Sequence, residues 1–138
     1  MEEFLIKVAL IIILSGIIGL ERESRHKSAG VRTHILVGLA AFTFTYFSMD
    51  FFEKQDAARI IANILVGMGF IGAGVIIKEK IEEKVIGVTT AASLWFVSAI
   101  GMLVGLGYLL EASILSLISL LLLLSKEIYS LLYKKYKW

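Results

Sequence analysis

The chain has no cysteine and no proline, and its 138 residues include a single asparagine, Asn63, and a single glutamine, Gln55. Without cysteine there is no disulfide, no thiolate nucleophile and no thiolate metal ligand. Only two histidines are present, His26 and His34, so a zinc site would have to recruit carboxylates as well. Charge is sparse: 14 Lys and Arg against 12 Asp and Glu leave a net +2, too little to point to nucleic acid. Carboxylates are missing from the middle of every apolar run, where a proton relay or a Mg²⁺ cage would place them. No nucleophile–base pair and no metal quartet is visible, so the reading is non-enzymatic and calls for no cofactor.

What the chain has in abundance is apolar surface: 58% of its residues are hydrophobic and its mean hydropathy is +0.85. Runs of about 18 or more apolar residues read as membrane-spanning helices. Five such segments are expected, at about 4–20, 35–52, 60–77, 88–108 and 112–132. The expected fold is therefore an all-α integral membrane protein, one domain over 1–138 forming a bundle of five transmembrane helices. The start Met1-Glu2-Glu3 lacks the positive charge of a secretory signal, so 4–20 is expected to be a retained helix.

The loops are short enough for the positive-inside rule. Arg22, Arg25, Lys27 and Arg32 fall between helices 1 and 2, and Lys78, Lys80 and Lys84 between helices 3 and 4. Lys126, Lys134, Lys135 and Lys137 follow helix 5. Only Lys7, Lys54 and Arg59 fall on the opposite side. The N-terminus is therefore expected outside and the C-terminus in the cytoplasm, as in a multi-pass protein of the inner cell membrane. In the tail Lys126–Trp138, Tyr129, Tyr133, Tyr136 and Trp138 alternate with lysines, the pattern of an interfacial anchor in the lipid headgroup layer or of a basic partner-binding helix.

Gly67-x-Gly69-x-x-Gly72 has the spacing of a dinucleotide fingerprint, but that motif needs a strand–turn–helix unit and here it lies inside an apolar helix. At 100° per residue, Gly67 and Gly74 share one face, while Gly69 and Gly72 lie roughly opposite. Small residues on two faces predict close approach from both sides and hence a central helix 3. Gly101-x-x-x-Gly105 on helix 4 is the spacing that lets helix backbones touch, and Gly16 and Gly19 offer the same on helix 1. These seams serve either packing within the chain or assembly into a homodimer or higher oligomer.

The polar candidates lie at the helix ends. Glu21, Arg22, Glu23, Arg25, Arg32, Thr33 and His34 crowd one short segment, and Thr89 and Thr90 open helix 4 on the same side, where they could cap it. Together they form either a closed salt-bridge network or an anion site built on helix N-terminal amides. On the other side, Arg59 and Asn63 continue the Gly67/Gly74 face, with Asp50 and Asp56 as candidate partners for Arg59.

Several stretches in order resemble the membrane domain of the MgtC/SapB family: Gly19-Leu20-Glu21-Arg22-Glu23, Ala29-Gly30-Val31-Arg32-Thr33-His34, Arg59-Ile60-Ile61-Ala62-Asn63, Gly67 to Gly74, and Gly87 to Trp95. The resemblance spans about Gly16 to Gly107. It departs at Ile86, where the family pattern usually has Arg, at Val88 for Leu, at Asn63 for Gln and at Val66 for Ser. The resemblance implies five helices with the N-terminus outside, and a role in Mg²⁺ or membrane-energy homeostasis. It implies action as a regulator of a membrane partner such as a transport ATPase or ATP synthase. The alternative is a transporter or channel for Mg²⁺ or another small ion.

Overall fold

The computed structural model describes residues 1–78 and 85–134, and of 78 and 126–134 the backbone alone. Lys80 and Lys84 of the charge count, the Lys78 side chain, and the aromatic–lysine side chains of the tail lie outside the described residues. The elements run α1 (Glu2–Ser24), α2 (Val31–Phe51), α3 (Lys54–Val75), β1 (Ile77–Lys78), β2 (Val85–Ile86), α4 (Val88–Leu106) and α5 (Leu109–Lys134). The first four helices are each long and apolar enough to cross a membrane, and α5 has a shorter described apolar stretch, Leu109–Ser125. At 1.5 Å per residue, the 23 residues of α1 span about 34 Å, enough for the hydrocarbon core. Phe70, Leu121, Leu122, Leu36 and other large apolar side chains lie on the outer surface, where lipid can cover them.

Helix limits depart from the apolar runs where polar residues extend a helix. α2 begins at Val31 and takes Arg32, Thr33 and His34 into its first turn, and α3 begins at Lys54 with Asp56 in its first turn. The chain between α3 and α4 forms a short antiparallel hairpin, Ile77 opposite Ile86 and Lys78 opposite Val85, which the apolar pattern did not foretell. Gly87 follows it at φ 92°, and a side chain there would run into the Val75 carbonyl, so only glycine lets α4 start against the end of α3. Gly107 ends α4 at φ 91°, with its N–H donating to the Val104 carbonyl and that of Tyr108 to the Leu103 carbonyl, a Schellman stop.

The centre of the bundle is α4, which packs against all four other helices. Its Leu94, Val97, Ile100 and Val104 are fully buried, against Ile11 and Ile18 of α1, Phe42 of α2 and Ala112 of α5. Its glycines seat α2. A Cβ on Gly101 would meet the Gly38 carbonyl and, at 3.0 Å, the Phe42 amide; one on Gly105 would meet Thr45 Cβ at 2.8 Å. The Gly101/Gly105 seam is therefore filled from within the chain. Gly19 likewise lets α1 touch the start of α2, 2.7 Å from a built Cβ to Val31 Cα, while Gly16 has only ordinary contact with Ile35.

The expected central position of helix 3 is wrong. Of α3 only Ala57 and Met68 are buried. Built Cβ atoms on Gly67, Gly69 and Gly74 meet nothing within 4 Å, and that on Gly72 meets Ala91 at 3.6 Å. Small residues permit close approach but supply little contact area of their own. The central place goes to α4, which combines glycines on one side with large aliphatics on the others.

Candidate functional site

At one end of the bundle the last turns of α1 carry the polar residues, and the chain after them turns back toward α2. Glu21 and Arg22 are both buried, and the Arg22 Nε donates to Glu21 Oε2 at 2.6 Å while Nη2 donates to Oε1 at 3.2 Å. Arg25 Nε reaches the same carboxylate. Two guanidinium groups thus share one carboxylate, which lets ionised groups be removed from water. Glu23 bonds elsewhere, and its carboxylate accepts the Val31 N–H at 2.8 Å. Gly30, the N-cap of α2, has no side chain to do this, so a residue of α1 caps α2 and fixes the angle between them.

His34 is fully buried one turn further on. Its Nδ1 lies 2.9 Å from the Gly30 carbonyl and its Nε2 3.0 Å from Ser93 Oγ. A carbonyl only accepts, so Nδ1 carries the proton, and in the neutral ring Nε2 accepts from the Ser93 hydroxyl. That hydroxyl also lies 2.8 Å from the Thr90 carbonyl and, having one proton, serves one acceptor at a time. This polar contact ties α2 to α4 across 59 residues of sequence, and no local motif pairs His34 with Ser93.

The structure divides the expected residues. Glu21 and Arg22 form the ionic network with Arg25, and Glu23 stands outside it as the cap of α2. Arg32 is exposed, and no ion pair joins it to Glu21 or Glu23 among the described residues. Thr89 and Thr90 do not cap α4: its N-cap is Gly87, and they are the second and third residues of the helix. Arg59 is exposed and, among the described residues, pairs with neither Asp50 nor Asp56. Lys7, counted among the outer charges, is buried; it bonds Glu3 at 2.7 Å and lies 5.1 Å over the Tyr46 ring.

Asn63 and Thr33 both line a groove between α2 and α3. Its volume is about 660 Å³ and its walls are almost wholly apolar, with Ala40 and Phe44 on one side and Ile60 and Ile71 on the other. Asn63 stands near the middle of the 22-residue α3, exposed, with Gly67 one turn below it. No described group bonds its amide. A carboxamide facing hydrocarbon without a partner costs several kcal/mol, about 4–8 on a water-to-cyclohexane scale. Along the same face come Phe70, 81% exposed, and Gly74. The face thus offers an amide able to donate and accept, an aromatic knob, and two gaps where a second helix could touch backbone.

Comparison with known proteins finds relatives over most of the chain. The MgtC family matches residues 8–130. The chain is 41% identical over 113 residues to YhiD of Escherichia coli (strain K12), a protein named as a candidate magnesium transporter; the match covers 76% of this chain and 52% of that protein. It is 42% identical over 102 residues to Protein MgtC of Brucella abortus (strain 2308), covering 74% of this chain and 42% of that one. An uncharacterized protein of Synechocystis is 38% identical over 111 residues, covering 80% of this chain and 47% of its own length. The chain thus spans about half the length of the curated relatives it matches. No solved structure matches it.

Proposed function

The chain belongs to the MgtC family, and from that premise we propose a non-enzymatic protein of the inner membrane that serves Mg²⁺ or membrane-energy homeostasis by binding another membrane protein. In this reading five helices cross the bilayer, α5 included, with the N-terminus outside and the ionic end of the bundle facing the cytoplasm. The excess of Lys and Arg on that side supports the orientation. The observation that carries the function is the open α3 face. Its unbonded Asn63 amide, inside the apolar span of α3, and its uncovered glycines are what a docking helix would satisfy and fill. The partner is a second copy of the chain or a larger machine such as a transport ATPase or ATP synthase.

The second reading is transport of Mg²⁺ or another small ion, favoured by the same groove seen as a path. Exposed Asp50, Glu53 and Asp56 would gather cations outside, and Arg59 and Asn63 lie on the way in. A Mg²⁺ flux assay in proteoliposomes separates the two. The partner reading expects no flux from folded, oriented wild type, while Asn63→Leu folds normally yet loses function in cells starved of Mg²⁺. Flux that disappears in Asn63→Leu would replace it with transport.

A further inference from the structure

The open face of α3 carries more than uncovered glycines. Asp56, Arg59, Asn63, Gly67, Phe70 and Gly74 follow one another three or four residues apart, and all six are exposed. At 100° per residue they fall within a strip of about 80°. Asp56, Asn63 and Phe70 recur every seventh residue, and so do Gly67 and Gly74. That is the period at which two helices stay in contact along their length. From residue 56 to residue 74 the strip runs about 27 Å at 1.5 Å per residue, most of a bilayer core.

The polar groups on the strip have no partner within the chain. Among the described residues no ion pair holds Asp56 or Arg59, and the Asn63 amide is unbonded. What they lack is what the strip itself carries. Asp56 and Arg59 have opposite charges one turn apart, and a carboxamide both donates and accepts. Acyl chains can fill the gaps at the glycines but offer neither a counter-charge nor a hydrogen bond.

We infer that α3 pairs along this strip with α3 of a second copy, as a parallel dimer with a two-fold axis along the membrane normal. The inference rests on the partner reading above and names the partner. Charge complementarity selects a second copy. Two copies inserted the same way up meet at equal depth, so each Asp56 lies beside Arg59 of the other copy and the two Asn63 amides face each other. A single Asn in an otherwise apolar seam also fixes register. Gly67 and Gly74 let the two backbones approach. Asn63 and Gly67 line the α2–α3 groove as well, so the second copy can also pack on the exposed Leu36 and Phe44 of α2.

The chain has no cysteine of its own, so single cysteines report the pairing directly. Gly67→Cys and Gly74→Cys lie on the strip, and Leu65→Cys, exposed on the opposite side of α3, is the control. Each full chain is oxidised in native membranes; in parallel, the same thiols are labelled with benzophenone maleimide and illuminated. A disulfide needs Cα atoms within about 7 Å, so dimers are expected from both strip positions and not from Leu65→Cys. In the Gly67→Cys chain, Asp56→Arg or Arg59→Asp sets like charges against each other and should lower the dimer yield about fivefold. Coexpressing the two charge variants under different tags should restore the yield, in the mixed dimer alone. Because the same two chains are used, restoration separates lost pairing from misfolding. Equal dimer yields from all three cysteines, yields indifferent to the charge changes, or no restoration in the mixed dimer would overturn the inference. Absence of any disulfide dimer would overturn it too, and the benzophenone arm then shows what falls with it. An adduct to a different protein keeps the partner reading, whereas lipid adducts alone remove both.

Discussion

The α2–α4 contact and the outer face of α3 are built from the same residue type and differ in what fills the gaps. Gly101 and Gly105 are occupied from within, by the Gly38 carbonyl and by Thr45. Gly67 and Gly74 are open, and the polar residue beside them, Asn63, has no partner among the described residues. In the first region every close approach stabilises the monomer. In the second the same spacing leaves a surface whose complement is another molecule. A glycine pattern in a membrane helix marks where a backbone can be approached; what approaches is decided by the rest of the fold.

The comparison breaks most easily at its glycines. Gly101→Leu should abolish or greatly reduce folded protein, because its side chain must displace α2 backbone, a cost of at least about 3 kcal/mol at the upper end for overpacking. Gly67→Leu should leave stability in micelles within about 0.5 kcal/mol, as expected for a substitution that touches nothing. Equal losses in denaturant titrations of the two would remove the distinction.

Charges draw the same contrast. Glu21→Gln leaves Arg22 buried beside a neutral amide and should cost about 3–5 kcal/mol, the range for breaking a buried pair. Arg59→Gln, on the exposed edge of α3, should cost nothing measurable. A smaller effect is expected at the helix starts. Glu23→Ala removes the cap of α2 and should cost about 1 kcal/mol, with faster hydrogen exchange at Val31, whereas Glu53→Ala at the start of α3 removes no side-chain cap. The smallest effect should be favourable. Thr45 Oγ1 is buried without a hydrogen-bond partner among the described residues, so Thr45→Val should be neutral or stabilise by up to about 1 kcal/mol. A clear destabilisation would show that the hydroxyl has a partner.

The helices were legible because membrane spans are written in hydropathy, a local property. The crowding of Glu21, Arg22 and Glu23 at one helix end was legible too, since consecutive residues cannot be far apart. Their pairing was not: Arg25 rather than Arg32 shares Glu21, and the chain has to turn back after α1 before Val31 can reach Glu23. The His34–Ser93 contact and the seating of Gly101 on Gly38 join residues far apart in the chain, and neither spacing signals the other. The place of α3 was misread because its glycines show two approachable faces, while centrality depends on the large aliphatic side chains of α4.

The most direct test of the α3 face is photocrosslinking in native membranes from a benzophenone amino acid placed at Phe70. Ile17 of α1, also exposed and at a similar distance from the start of its helix, is the control. The account predicts a discrete protein adduct from Phe70, at twice the chain's mass or with a larger partner, lost in Asn63→Leu and absent from Ile17. Lipid adducts alone from both positions would contradict it.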